Sequence, residues 1–142
     1  MSAAPVFVDT SALYAVLDAN DLNHKAASLT FDSLLDVLAD DPTAAFTHNG
    51  VITESAELVQ RRLGMPAVRV LLDDVLPLLE VVWTDAELHQ LATTALLAAN
   101  QRQVSLVDWT SFVLMRRRGT SEAFAFDDDF TRQGFMLFGS PG

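Results

Sequence analysis

The chain has no cysteine and a single lysine, and it is poor in basic residues as a whole. Without cysteine it can form neither disulfide bonds nor thiolate metal sites. Its 9 basic residues stand against 19 acidic ones, for a net charge of -10. This charge argues against non-specific nucleic-acid binding through a basic surface. It does not exclude a nuclease, because a site that holds divalent cations is itself acidic and bound metal can neutralise it.

Long hydrophobic runs are also missing, and no leader sequence is visible at the start. No apolar stretch reaches the roughly 18 residues needed to cross a bilayer. The first four residues carry no basic region ahead of an apolar one, so no signal peptide is visible. We therefore predict a cytoplasmic protein that does not enter a membrane. With 142 residues, half of them apolar, it should form one domain over residues 1–142.

Apolar runs of strand length alternate along the chain with segments of helical periodicity. Strands are predicted near residues 5–9, 44–47, 78–82, 122–126 and 135–138. Helices are predicted near residues 11–17, 23–39, 49–63 and 66–76. A fifth helix should begin after Thr84, which we predict as its cap in a capping box with Glu87. A sixth should run from Ser105 to near Gly119. This alternation predicts an α/β domain whose mostly parallel sheet carries helices on both faces.

Four acidic residues lie where this pattern predicts the mouth of the sheet. Asp9 and Asp127 end apolar strand runs, whereas Glu54 and Asp108 lie in the first halves of helices. Parallel α/β sheets open their ligand sites at the carboxyl edge of the strands, so the four side chains should meet in one crevice. Carboxylates that repel one another need a bound cation or shared protons. The pattern therefore predicts a metal-dependent reaction.

Two of these acids also have a structural interpretation as helix caps. Asp9 precedes Thr10 and Ser11, and any of the three could accept a free backbone N–H of the next helix. Thr10 and Ser11 could equally hold a metal-bound water. Asp108 is placed to complete a capping box with Ser105, although it shares a helix stripe with apolar residues that should face the interior.

The other two acids are less distinct when each is considered alone. Glu54 flanks the apolar stripe of its helix, a position that by itself predicts a solvent-exposed residue at the edge of the stripe. Asp127 opens a run of three aspartates that would ordinarily form a turn. It is nearest to the strand end, and Asp129 is the second candidate because one short turn could return it to the same crevice.

A site whose candidate ligands are all oxygen atoms favours magnesium or manganese as the metal. Both ions prefer hard oxygen ligands and keep several waters, and they can activate a water for attack on a phosphodiester. Zinc is disfavoured because the histidines lie far apart and lack paired spacing. We predict that each is a surface or helix residue: His24, His48 and His89.

The arginines include two adjacent sets, Arg61-Arg62 and Arg116-Arg117-Arg118. These side chains could contact phosphates or an acidic partner. The alternative is that they supply favourable charge near the C-termini of helices.

Four motifs, in order along nearly the whole chain, resemble those of PIN-domain ribonucleases of the VapC toxin type. Residues 6–13 (VFVDTSAL) resemble the opening of that family, and residues 47–54 (THNGVITE) resemble its second motif. Residues 105–108 (SLVD) are similar to the third, and residues 126–130 (FDDDF) with Gly134-Phe135 are similar to the closing segment.

The resemblance implies a three-layer α/β/α domain around a parallel sheet of about five strands. It implies a magnesium- or manganese-dependent endoribonuclease, the toxin of a toxin–antitoxin pair, commonly a homodimer and inhibited by its cognate antitoxin. The metal would be held by the four acids identified above: Asp9, Glu54, Asp108 and Asp127.

The family pattern also suggests supporting residues, and this chain departs from it in two ways. Thr10 or Ser11 would support the metal site, and Asn49 would act as a support or as a helix cap. The three consecutive aspartates leave Asp127 and Asp129 as alternatives for the last ligand. Lysine is almost absent, so contacts with RNA phosphates would have to come from arginines and backbone.

Three other functions compete with this one. A phosphoacceptor receiver domain needs a lysine at the sheet mouth, but Lys25 lies in a helix far from any predicted strand end. A metal-dependent adhesion site needs a second serine where this chain has Leu13. A PIN-like module that binds RNA or protein without cutting is the remaining alternative.

Overall fold

A parallel sheet of five strands forms the centre of the computed structural model, which describes residues 4–139. The strands are β1 (Val6–Val8), β2 (Ala45–His48), β3 (Glu80–Val82), β4 (Glu122–Phe124) and β5 (Met136–Leu137). Their order across the sheet is β3-β2-β1-β4-β5, and all four pairings are parallel. The predicted strands are all present, but most are shorter than their apolar runs. Strand β4, for example, ends at Phe124.

Seven α-helices accompany the sheet in the described residues. They are α1 (Thr10–Leu17), α2 (His24–Asp40), α3 (Asn49–Leu63), α4 (Met65–Arg69), α5 (Ala86–Ala99), α6 (Leu106–Arg118) and α7 (Asp129–Arg132). Helix α1 packs against α2 and α3, and α5 packs against α6. The result is the three-layer α/β/α arrangement that the sequence predicts. No helix within residues 4–139 combines the length and the apolar character that crossing a membrane requires.

The region between α3 and α5 differs from the prediction in its helix and in its cap. Helix α4 continues as wider π-type turns over Val70–Val75 and a 3₁₀ turn at Leu76–Leu78. These turns extend through Leu78, so β3 begins only at Glu80, two residues later than predicted. The cap of α5 is Asp85 and not Thr84. The Asp85 carboxylate accepts the Leu88 N–H, so the predicted capping box is wrong.

Five phenylalanines form the centre of the core and also anchor the chain around the crevice. All of them are fully buried: Phe7, Phe46, Phe112, Phe124 and Phe130. The Phe130 ring packs edge-on against Phe112 of α6 at 5.0 Å and stacks with Phe7 of β1 at 6.1 Å. Because Phe130 follows the three aspartates directly, its burial holds that acidic run at the carboxyl edge of the sheet.

The connections of β1 place a crevice at its carboxyl end. From β1 the chain proceeds to β2 and β3 on one side of the sheet, and later to β4 and β5 on the other. Where the strand order reverses in this way, the loops after the two central strands separate and leave a ligand crevice. Asp9 follows β1 at this point, and Asp127 follows β4.

Candidate active site

A cavity of about 490 Å³ opens at the switch point between β1 and β4. The four acids that the sequence singled out all line it, together with Thr10 and Ser11: Asp9, Glu54, Asp108 and Asp127. They come from the end of β1, from α3, from the first turn of α6 and from the loop after β4. Residues up to 118 positions apart therefore share one opening.

Asp9 combines the capping role with a free oxygen in the cavity. It is the N-cap of α1, and its Oδ2 accepts hydrogen bonds from the Ser11 N–H at 3.2 Å and the Ser11 hydroxyl at 2.7 Å. Its Oδ1 is buried and has no hydrogen-bond partner among the described residues. Burial raises the pKa of the Asp9 carboxyl from 3.8 to about 7; the Ser11 hydrogen bonds oppose the rise, and the charges of Asp108 and Glu54 add to it.

The two hydroxyl residues after Asp9 connect it to neighbouring elements. The Ser11 hydroxyl accepts the Phe126 N–H at 2.9 Å while it donates to Asp9. One side chain thus joins the loop after β1 to the loop that carries Asp127. The Thr10 hydroxyl accepts a hydrogen bond from buried Ser55 of α3 at 3.0 Å. In the structure both hydroxyls position the acidic loops.

Asp108 likewise uses one carboxylate oxygen to cap its helix. Its Oδ2 accepts the Ser105 N–H at 3.0 Å, and its own N–H donates to the Ser105 hydroxyl at 3.2 Å. This reciprocal pair is the capping box that the sequence predicts. Burial raises the pKa of Asp108, the hydrogen bonds with Ser105 lower it, and the charges of Glu54 and Asp129 raise it again.

Asp127 and Asp129 are both close to Asp108. The three carboxylates each bring one oxygen within 4.8 Å of the others. Asp127 lines the cavity, and its Oδ1 accepts the Asp129 N–H at 2.9 Å. Burial and the charges of Asp129 and Asp108 raise the pKa of Asp127 against that hydrogen bond. Asp129 instead pairs with Arg132 at 3.0 Å and lines a second cavity.

This set of donors fits a hard divalent cation. The cavity lining contains no histidine, and the chain contains no cysteine, so the available ligands are oxygens. A buried carboxylate oxygen without a partner is costly, and the raised pKa values report mutual repulsion together with burial. A bound Mg²⁺ or Mn²⁺ would relieve both penalties.

Helix α3 contributes three cavity residues that the sequence analysis did not place in the site. Glu57, Leu58 and Arg61 line the cavity beside Glu54. They follow Glu54 by three, four and seven positions, which is the spacing of one helix face. That spacing is the signal in the sequence that could have found them.

Asn49 lies in a different place from the one predicted. It does not cap α3, because the N-cap is His48. The Asn49 Oδ1 accepts the Thr84 N–H at 2.7 Å and so joins the start of α3 to the segment after β3. It is not among the residues that line the cavity.

His48 is buried, and its prediction as a surface or helix residue is wrong. Its Nδ1 accepts the Gly50 N–H at 3.1 Å, so its Nε2 carries the proton and donates to the Ser111 hydroxyl at 2.9 Å. Ser111 in turn donates to the Val107 carbonyl at 3.0 Å, next to Asp108. Burial lowers the pKa of His48 to about 4. The neutral ring thus connects the start of α3 to the first turn of α6.

The remaining histidines and most arginines have structural roles or lie on the surface. His24 begins α2, with its Nδ1 2.7 Å from the Ala15 carbonyl, and His89 is exposed on α5. Arg116, Arg117 and Arg118 form the last turn of α6. Arg118 pairs with Glu80 at 3.0 Å, and Arg116 donates to the Gln133 side chain at 2.8 Å. This placement at a helix C-terminus is the one that the structural alternative requires.

Comparison with known proteins supports one family for this arrangement. The family model described as "PIN domain" matches residues 6–136. The 23S rRNA-specific endonuclease VapC20 of Mycobacterium tuberculosis is 34% identical over 132 residues, which are 92% of this chain and 95% of that protein.

Solved structures agree with this result. The crystal structure of M. tuberculosis VapC20, described as a sarcin-ricin loop cleaving toxin, superposes with a TM-score of 0.78 at 32% identity, over 92% of this chain and 96% of that chain. FitAcB of Neisseria gonorrhoeae has a TM-score of 0.66 at 15% identity, over 94% of this chain and 96% of that chain. The second match supports the fold alone.

Proposed function

The chain belongs to the PIN domain family, and we propose that it is a metal-dependent endoribonuclease that acts as the toxin of a toxin–antitoxin pair. The observation that carries this proposal is the buried Asp9 oxygen without a partner, in a cavity where three further carboxylates converge. The ion would be Mg²⁺ or Mn²⁺, since the lining offers oxygen ligands only.

The residues divide between those that would hold the metal and those that position them. Asp9, Asp108 and Asp127 would be ligands, and Glu54 would bind directly or through water. Ser11 and Ser105 hold Asp9 and Asp108 by hydrogen bonds and leave one oxygen of each outside those bonds. When bound, the ion would activate a water for attack on the phosphodiester and offset charge on the leaving oxygen.

The proposed substrate is RNA, and ribosomal RNA is the first candidate. The relative of 34% identity is named a 23S rRNA-specific endonuclease, and the match spans almost the full length of both chains. We therefore expect internal cleavage of an RNA strand at a defined site. No covalent enzyme intermediate is expected, because no serine of the cavity is hydrogen-bonded to a basic side chain.

The proposed partners are an antitoxin and a second copy of the chain. We expect an antitoxin to occlude the acidic cavity and to insert an arginine, because a guanidinium pairs well with clustered carboxylates. Arginine substitution in the antitoxin should then relieve inhibition; undiminished inhibition would contradict this mode. A homodimer acting in the cytoplasm is expected from the family, and light scattering of the purified protein would measure its mass.

The decisive experiment compares RNA cleavage in Mg²⁺ by the unmodified protein and four variants. Asp9→Asn removes the charge of the central ligand and should lower the cleavage rate on the order of 100-fold or more, because charge stabilisation by a bound metal contributes several kcal/mol. Asp127→Asn should act in the same direction and more strongly than Asp129→Asn, since only Asp127 lines the main cavity.

The matched control is Asp36→Asn, which removes an equal charge from an exposed position on α2. It should cleave like the unmodified protein. Unchanged cleavage by folded Asp9→Asn protein would refute the assigned site.

Metal binding can be measured without any substrate. A ligand that binds only the folded state adds about 2.7 kcal/mol of stability at 100 times its Kd. Mg²⁺ should therefore raise the Tm of the unmodified protein and have much less effect on Asp9→Asn. No shift up to millimolar Mg²⁺ would favour a PIN-like module that binds RNA or protein without cutting.

A further inference from the structure

We propose that Arg61 binds a phosphate of the RNA strand beside the scissile one, and that its neighbour Arg62 does not. The inference rests on the proposed function and adds a substrate-binding residue to it. Neither the family match nor the four-acid pattern assigns a role to this position.

Arg61 is the only basic residue among the described residues that line the acidic cavity. It lies seven positions after Glu54 on α3, with Leu58 between them on the same helix face. Seven residues advance a helix by about 10 Å along its axis. Arg61 is exposed and about two turns from Glu54, so it stands at the rim, where an adjoining part of the RNA backbone would pass.

The acidic charge of the cavity makes a cation favourable at such a place. Five carboxylates line it, since Glu57 joins the four acids already described, and the chain as a whole carries a net charge of -10. A metal ion would neutralise the acids around the scissile phosphate but not the next phosphate along the strand. The planar guanidinium of arginine can donate two parallel hydrogen bonds to a phosphate.

Arg61 is free to make this contact, whereas four of the other arginines contact protein groups. Within residues 4–139 it takes part in no ion pair, not even with Glu57 one turn earlier in α3. The guanidinium of Arg62 lies over the Tyr14 ring, 5.5 Å from its centre. Three more arginines contact protein groups: Arg116 at Gln133, Arg118 at Glu80 and Arg132 at Asp129.

The competing explanation is that Arg61 only supplies positive charge at the end of α3. Arg61 and Arg62 both lie in the last turn of that helix, so each would stabilise the helix dipole to a similar extent. Arg62→Ala is therefore a matched control. If RNA affinity falls because the helix is weakened, it should fall with either substitution. If it falls because a phosphate contact is removed, it should fall only with Arg61→Ala.

The test measures binding of a single-stranded RNA oligonucleotide to Asp9→Asn protein, in which cleavage does not interfere, with and without Arg61→Ala or Arg62→Ala. Fluorescence anisotropy gives Kd over a series of KCl concentrations. Arg61→Ala should weaken binding about fivefold. It should also reduce the slope of log Kd against log salt by about 0.7, the value for one phosphate contact on a single strand. Arg62→Ala should change neither quantity.

Cleavage kinetics and an Arg61→Lys variant distinguish failure of this inference from failure of the proposed function. In the cleaving protein, Arg61→Ala should raise KM and leave kcat nearly unchanged, since the contact is made equally before and during the reaction. Arg61→Lys should restore the salt slope. If the unmodified protein cuts RNA but Arg61→Ala and Arg62→Ala have equal Kd and equal slope, the inference is wrong and the proposed function stands. If the unmodified protein cuts no RNA, the proposed function fails.

Discussion

Removing the charge of Asp9 should stabilise the metal-free protein, although it should lower the proposed cleavage activity. Burial raises the pKa of this carboxyl from 3.8 to about 7 in the folded state. A raised pKa means that the folded protein holds its proton more tightly than the unfolded chain does. The stability from Asp9 is therefore complete below about pH 4 and is lost as the pH rises to about 7. The difference in pKa corresponds to about 4 kcal/mol.

Asp9→Asn should remove this loss, because the amide is neutral at every pH. The amide oxygen can still accept the two hydrogen bonds from Ser11 that now reach Oδ2. Without metal, Asp9→Asn should be more stable than the unmodified protein by up to about 4 kcal/mol at pH 8. The advantage should shrink by about 2–3 kcal/mol at pH 5, where the folded protein is already protonated at Asp9.

Urea unfolding in EDTA at pH 5 and pH 8 measures these differences. His48, whose pKa burial lowers to about 4, is present in both proteins, so its contribution cancels in the comparison. Asp36→Asn controls for the loss of one negative charge. Saturating Mg²⁺ should reverse the order at pH 8, because only the unmodified protein gains full metal binding. An advantage of Asp9→Asn that is equal at both pH values, or a loss of stability at pH 8, would refute the argument.

Three smaller changes test the hydrogen bonds and packing around the site by their effect on the urea midpoint. Ser105→Ala removes the hydroxyl half of the Ser105–Asp108 capping box and should lower the free energy of unfolding by about 1 kcal/mol. An unchanged midpoint would show that the capping box does not stabilise α6. Gly50→Ala would place a Cβ 2.8 Å from Cε1 of the buried His48 ring and should cost about 1–3 kcal/mol. Equal stability would mean that the ring can move. Ser111→Ala leaves the His48 Nε2–H without its acceptor and should also cost about 1–3 kcal/mol. A neutral result would show that water replaces the hydroxyl.

Local rules in the sequence predicted most of the fold and the principal acids. The strand around Phe7 is a short apolar run that ends in Asp9, and the Ser105–Asp108 box marks the start of α6. Capping, apolar periodicity and strand alternation act over a few residues, so they can be recognised in a single chain. The same rules failed where two neighbours compete for one role, as Thr84 and Asp85 do at the start of α5.

Burial and long-range partners could not be predicted in the same way. His48 has the sequence surroundings of an ordinary polar residue, yet it is fully buried because α6 supplies Ser111 as its acceptor. Arg61 and Arg62 are adjacent in the chain, and only the position of α3 beside the cavity separates their environments. Such differences depend on which surfaces meet, which no local pattern contains.

By itself, the sequence determined where along the chain the acids occur and which of them follow strands or begin helices. Only the tertiary structure decided how they meet. The Ser11 hydroxyl binds both Asp9 and the Phe126 amide, 115 positions away, and the buried Phe130 ring brings Asp129 as well as Asp127 to within reach of Asp108. The physical reason is that the carboxylates repel one another, so packing of the core around them must hold them together.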